Sequence, residues 1–316
     1  MEINSFIDLL KKNSIYYFEN EPMSLHTSFK TGGAADVFVS VSSAQELNIT
    51  INAAKTFELP YFIIGKGSNL LFSDDGIRGA VISLSDMNAV TLEGNLITAA
   101  AGASLSSVCI AARDNSLSGF EFAYGIPGAI GGAVYMNAGA YGGEISQILK
   151  SVKAINEKGE IIWLSLEECQ LGYRTSIFKT SNLVLLEATF ELIKADKAEI
   201  SFKMNELIKK RKEKQPLSFP SAGSTFKRPE GNFAGALIEK NNLKGFRIGG
   251  AMVSDLHAGF IINYDNATSH DILELMRHVQ RVVYKNDGVL LEPEVLYVGE
   301  PPKEDILPYK TASQII

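Results

Sequence analysis

Apolar residues recur at helical spacing through "MEINSFIDLLKKN", with Ile3, Phe6, Ile7 and Leu10 on one face, so the chain opens on an amphipathic helix. The period then changes. "ADVFVSV" (35–41) alternates as a strand. Ser43, followed three positions later by Glu46, has the form of a capping box and predicts a helix to about Phe57. Pro60 precedes a short apolar strand, "YFII". This β-α-β order resembles the start of a nucleotide-binding unit. From Gly76 to Gly102 short strands alternate with turns, and a helix follows over 105–114. Two more strands are expected at 152–155 and 161–164. The apolar run "LVLLEATFELI" (183–193) closes the first half.

A polar helix from 195 to about 215, ended by Pro216 and Pro220, reads as a connector to a second domain. There the pattern predicts a helix over 234–240, strands near 250–253 and 259–263, and a helix over 269–285. A last strand, "VLLEPEVLYVG", ends it. No internal repeat is visible. The class is mixed α+β, with a break near residue 200.

Two glycine-rich stretches interrupt this order. In "YFIIGKGSNLLFSDDGIRG", Gly65 and Gly67 follow a buried strand directly. A dinucleotide fingerprint would need a third glycine at position 70 and a following helix, but Leu70 stands there and the next residues read as strand and turn. A Walker loop is excluded too, because no Gly-Lys-Ser/Thr ends the run. What remains is a concave anion site built from successive backbone N–H groups, with Ser68 and Asn69 as added donors. A plain strand-to-turn connection explains this stretch alone equally well.

The second stretch, "YGIPGAIGGAVYMNAGAYGG", is denser: seven of the twenty residues from Tyr124 to Gly143 are glycine, interleaved with Ile126, Ile130, Val134, Tyr135 and Met136. Glycine is costly to order and is used where backbone must approach something closely. Two such turns among apolar residues suit a ligand with a diphosphate and large flat rings. The residues alone leave NAD, FAD and a nucleotide sugar open.

Composition narrows the function classes. The 316 residues suffice for two or three domains, with 46% hydrophobic and 21% charged residues. A net charge of −6 argues against a nucleic-acid surface. The one basic run, "KKRKEK" at 209–214, reads as a solvated helix end. Cys109 and Cys169 lack CxxC spacing and sit in apolar surroundings, which suits a reduced, cytoplasmic protein. No apolar run approaches a membrane span. His26, His257, His270 and His278 are scattered, with no carboxylate or cysteine completing a ligand set, so neither a metal site nor a Ser-His-Asp hydrolase is expected.

"FKTGGAADVFV", "GKGSNLL", "GIPGAIGGAVYMNAGAYGGE", "LGYRTSIFK", "SAGSTFKRP" and "LEPEV" occur in the order and rough spacing of one family. From about His26 to Val298 the chain resembles the UDP-N-acetylenolpyruvoylglucosamine reductases, in their shorter subtype without a tyrosine-bearing loop. The resemblance implies an FAD-binding domain of the vanillyl-alcohol oxidase and p-cresol methylhydroxylase type over 1–195, in two α+β subdomains split near 80. It further implies a smaller α+β substrate-binding domain over 196–300, followed by a tail at 301–316. The implied reaction takes electrons from NADPH and reduces UDP-N-acetylglucosamine enolpyruvate to UDP-N-acetylmuramate, in a monomer.

By the same resemblance, Gly65, Lys66, Gly67, Ser68, Asn69 and Leu70 would bind FAD, together with Gly125, Ile126, Pro127, Gly128, Gly131, Gly132 and Ala133. Arg174 would offer its planar fork to the substrate carboxylate, where a surface ion pair is the bland alternative. Ser224 would be the proton donor, although a serine in such a turn ordinarily makes only local backbone bonds. Glu292 and Glu294 lie two apart on an expected strand and so share a face, with Pro293 marking an edge or bulge. The family pattern selects Glu294. Lys214 would face the substrate and Arg228 its diphosphate. One departure stands out: Leu296 occupies a position where the family carries an arginine. Two rivals of other classes remain, a different flavin oxidase of this fold and a nucleotide-binding module without turnover.

Overall fold

The computed structural model describes residues 2–299, and the expected tail at 301–316 lies outside them. Helix α1 (Glu2–Lys12) buries Phe6, Ile7 and Leu10. The strand Tyr16–Pro22 then runs antiparallel to Ala34–Ser40, with Phe18 opposite Phe38. Ala34–Ser40 is parallel to Ile77–Ser83, which is parallel to Tyr61–Ile64. Helix α2 (Ala44–Thr56) therefore joins two strands that are not neighbours, because 77–83 lies between them. Ser43 Oγ caps α2 by accepting from the Glu46 N–H at 3.2 Å. The Glu46 carboxylate closes on Ser42, accepting from its N–H and hydroxyl, one residue before the expected partner.

A five-stranded antiparallel sheet follows, in the order 161–165, 149–155, 184–191, 96–100, 90–93. The change of sheet comes between Ser83 and Val90. Helices α3 (Leu105–Asp114) and α4 (Ile130–Tyr135) pack on this sheet. Helix α5 (Lys197–Lys214) places Ile200 and Met204 in the same apolar core as Val37, Ile82, Val152 and Phe190. It is a packed part of the first unit, not a free connector, and the first core runs past residue 195.

The second core gathers Leu237 of α6 (Ala234–Lys240) with Ile272, Leu275, Met276 and Val279 of α7 (Ser269–Asp287). A small sheet of 247–248, 251–253 and 261–263 completes it. Only Leu296–Val298 of the expected last strand is regular, and it pairs in parallel with Leu70–Phe72 of the first unit. The chain thus crosses back between the units at residues 292–296. Glu294 sits on that crossing.

One polar device joins the units. Asp74, from the first, accepts the backbone N–H groups of Ser269 and His270 at 2.8 Å each, at the start of α7. Thr268 caps the same helix through Asp271. The first N–H groups of a helix have no partner within it, and a carboxylate there also meets the positive end of the helix dipole. Asp74→Ala is expected to lower stability by about 1–2 kcal/mol. An unchanged urea midpoint would show that Thr268 suffices alone.

Candidate active site

Strand 61–64 delivers the chain into the turn at Gly65–Leu70, on the wall of a cleft lined almost wholly by the first unit, with Ala222, Glu294 and Leu296 added from beyond it. Gly67 has φ +58°, and a Cβ there would lie 2.1 Å from the His26 carbonyl oxygen, so no other residue fits this turn. The turn is stitched on both sides. Ser28 donates its N–H to Gly67 O and its hydroxyl to Ser68 O, each at 3.3 Å. Asn69 donates its amide to Glu294 O, and Leu296 N–H donates to Asn69 O, both at 3.0 Å. The first glycine turn is therefore tied directly to the segment carrying Glu294.

The second glycine stretch faces it. Ile126, Pro127, Gly128, Gly131, Gly132 and Ala133 line the same cleft as Gly65 to Leu70, with Ile64, Leu84, Leu105, Phe178 and Leu185 as apolar wall. Gly125 does not line it. A Cβ on Gly125 would lie 2.4 Å from Ile208 Cδ1, so this glycine serves the packing of α5. Gly132 is the opposite case: an added Cβ would meet no atom within 4 Å. Its backbone borders open cleft.

Glycine turns with polar groups at Ser68 and Asn69, set against a broad apolar wall, fit a dinucleotide carrying a flat ring system. Gly132→Val should therefore fold yet bind FAD more weakly. Extra methyl groups forced into close-packed space cost about 1–3 kcal/mol, roughly ten- to hundred-fold in Kd. Unaltered FAD content in this variant would place the cofactor elsewhere.

At the far end the cleft continues into a second hollow, and Arg174 and Glu294 line both. Arg174 sits in a tight turn closed by backbone bonds between Gly172 and Thr175. Its Nε donates to Glu294 Oε1 at 2.5 Å, and Nη2 to Gly139 O at 3.4 Å. Ser224 lines the second hollow beside them. It follows Gly223, at φ +78°, and Thr225 N–H donates to Gly259 O at 2.9 Å. Glu294 N–H donates to Thr225 O at 2.8 Å, which brings the serine and glutamate segments side by side. The Ser224 hydroxyl is exposed and makes no hydrogen bond to another described residue. It does not play the local turn role that a serine in such a segment usually has.

Burial pushes the Glu294 carboxyl up from the usual carboxylate range, against the opposing pull of the Arg174 guanidinium and, more weakly, of Lys179 and Lys227. Glu292 does not share this environment. It pairs with Lys227 at 2.7 Å on the rim and is half exposed, while Pro293 makes a single bridge to Phe226. The two carboxylates therefore have different partners and are not an acid–base pair.

Arg228 lines the second hollow with its guanidinium 4.0 Å from the Phe233 ring centroid, and its N–H donates to Tyr173 Oη at 3.0 Å. Lys214 is exposed at the end of α5 and lines neither hollow. Leu296 lines the first, so no cation stands at that position. Tyr173, Asn137 and Lys179 were not singled out from the sequence, although all three lie within the motifs "LGYRTSIFK" and "GIPGAIGGAVYMNAGAYGGE".

Comparison with known proteins follows the same division. Residues 35–165 match the model of an FAD binding domain, and 215–298 match that of the C-terminal domain of UDP-N-acetylenolpyruvoylglucosamine reductase. The reductase of that name from Clostridium perfringens is 47% identical over 302 residues, covering 94% of this chain and 99% of its own. The one from Lachnoclostridium phytofermentans is 51% identical over 286 residues, covering 89% and 92%. The crystal structure of the Thermus caldophilus enzyme superposes with a TM-score of 0.77 at 34% identity, covering 90% of this chain and 98% of its own.

Proposed function

The chain belongs to the UDP-N-acetylenolpyruvoylglucosamine reductase family, and on that premise we propose how its residues divide the work. It is an FAD-dependent oxidoreductase that reduces the enolpyruvyl ether of UDP-N-acetylglucosamine to the lactyl ether, UDP-N-acetylmuramate, in peptidoglycan precursor synthesis. Bound FAD supplies the hydride chemistry, between NADPH and the terminal vinyl carbon of the substrate. The rest is the task of the protein's side chains and backbone.

The turns at Gly65–Leu70 and 126–133 would hold the cofactor in the cleft they line. When hydride reaches the terminal carbon, electron density moves to the neighbouring carbon and into its carboxylate. Arg174 is assigned to bind that carboxylate through its fork, since it lines the same hollow as Ser224. Glu294 orients the guanidinium through its ion pair and is assigned a place beside the substrate carboxyl, where burial pushes its own carboxyl up. Ser224 delivers its hydroxyl proton to the carbon bearing the ether oxygen, which completes the addition of one hydride and one proton across the double bond. Arg228, next to Ser224 on the rim, is assigned to the diphosphate of the sugar nucleotide. Lys214, exposed at the end of α5, is assigned to an outer part of the substrate, beyond the two hollows.

The observation that carries this reading is the convergence of Arg174, Ser224 and Glu294, from three distant segments, on a hollow continuous with the glycine-lined cleft. No helix among the described residues is long and apolar enough to cross a membrane, and Cys109 and Cys169 are buried free thiols. Both suit the cytoplasm.

The purified protein should be yellow, release FAD on denaturation, and bleach with NADPH. Bleaching by an alcohol or hydroxy acid in place of NADPH would favour a different flavin enzyme.

A further inference from the structure

Arg174 holds a backbone conformation that an arginine rarely takes, with φ +55°. Such strain persists only where neighbouring structure over-determines it. The bonds between Gly172 and Thr175 close the ends of the turn but leave the Arg174 carbonyl to be fixed by something else. Lys179 Nζ does this, donating to Arg174 O at 2.7 Å.

We propose that Lys179 is a positioning residue of the reduction: it locks the left-handed backbone of Arg174 and so aims the guanidinium into the substrate hollow. The proposal rests on the role given above to Arg174.

Three further contacts show what the lock is referred to. Lys179 ends the short turn Ile177–Lys179 and lies with its ammonium 5.2 Å from the Tyr135 ring centroid. Ser176 Oγ donates to Tyr135 O at 2.8 Å, at the start of that turn. Asn137, itself at φ +42° and 1% exposed, donates its amide to Gly172 O at 3.1 Å. Tyr135 ends α4, whose beginning, Gly131 to Ala133, lines the flavin cleft. The Arg174 turn is thus registered to the wall that holds the cofactor. A lysine with only a solvation role would extend into water. This one is half-buried, with its ammonium placed on a backbone carbonyl and a ring face.

A residue acting through Arg174 must lose most of its effect when Arg174 is gone, and a double-mutant cycle reads this directly. Lys179→Met should slow reoxidation by the enolpyruvyl sugar nucleotide about ten- to hundred-fold, as expected for a displaced catalytic group, with NADPH oxidation and FAD content unchanged. Added to Arg174→Ala, the same change should slow reoxidation far less than it does alone, the small remainder being the lysine's weak direct pull on Glu294. A parental rate in Lys179→Met, or an equal slowing in the Arg174→Ala background, overturns the proposal. Should Lys179→Met fail to fold, the cycle is run with Lys179→Arg, which keeps the charge. A smaller slowing is then expected, absent from the Arg174→Ala background, and no slowing or additive slowing overturns it. A parental rate in Arg174→Ala itself would instead defeat the assigned role of Arg174.

Discussion

Ser224→Ala is expected to reoxidise with the enolpyruvyl sugar nucleotide about 10²–10⁴-fold more slowly than the parent, with reduction by NADPH unaffected. The asymmetry follows from what each half-reaction needs. NADPH oxidation requires no proton at a substrate carbon, whereas completing the lactyl ether does. Ser224 is suited to that step because its hydroxyl is exposed in the hollow with no competing hydrogen bond to a described residue. The main-chain bonds of Thr225 to Gly259 and Glu294 hold its segment without the hydroxyl, so the variant should fold and keep its FAD. Ser224→Cys should retain part of the rate, since a thiol can donate. Stopped-flow traces of the two halves settle the matter. Equal slowing of both would mean a disturbed flavin site, and a parental reoxidation rate would return Ser224 to an ordinary turn residue.

Arg174→Ala should slow the same half-reaction by roughly 10²–10³-fold, the usual loss for a fixed donor removed from developing charge. It also changes stability in a pH-dependent way. The Glu294 carboxyl, 14% exposed, is already pushed upward by burial, and Arg174 is the strongest group opposing that shift. Without the guanidinium its folded-state pKa rises further. A carboxyl with a raised folded pKa favours the fold below its unfolded pKa and loses that advantage as pH rises through the folded pKa. The stability deficit of Arg174→Ala should therefore be smallest in acid and grow as pH rises through the titration of Glu294. A deficit that shrinks with rising pH would contradict the charge pairing assigned here.

The helices other than α4 were legible because local rules set them; α4 falls within the glycine-rich stretch, where no apolar period marks it. Ser43 caps α2 and Thr268 caps α7, and Gly288 ends α7 at φ +69°. Strand partners were not legible, since pairing is decided by the whole fold. "YYFENEP" forms an edge strand although its side chains are mostly exposed, so it lacks the apolar alternation that marks a half-buried strand. Nothing local in "LYV" indicates a parallel partner at Leu70–Phe72. That pairing is what brings Glu294 into the cleft. The motifs named the residues to which the reaction is assigned, but their environments came only from tertiary contacts: the separation of Glu292 from Glu294, the outward place of Lys214, and the turn of Gly125 toward α5. The left-handed backbone of Arg174 was hidden for the same reason, because no propensity rule assigns it to an arginine.

The central claim is that this chain joins hydride and proton across the enolpyruvyl double bond of a UDP-sugar. The direct measurement is product analysis by mass spectrometry after incubation of the purified, FAD-loaded protein with NADPH and UDP-N-acetylglucosamine enolpyruvate. The expected product is a sugar nucleotide that has gained the elements of dihydrogen, formed mole for mole with NADPH oxidised. NADPH consumption that leaves the enolpyruvyl sugar unchanged, with electrons passing to oxygen instead, would contradict it.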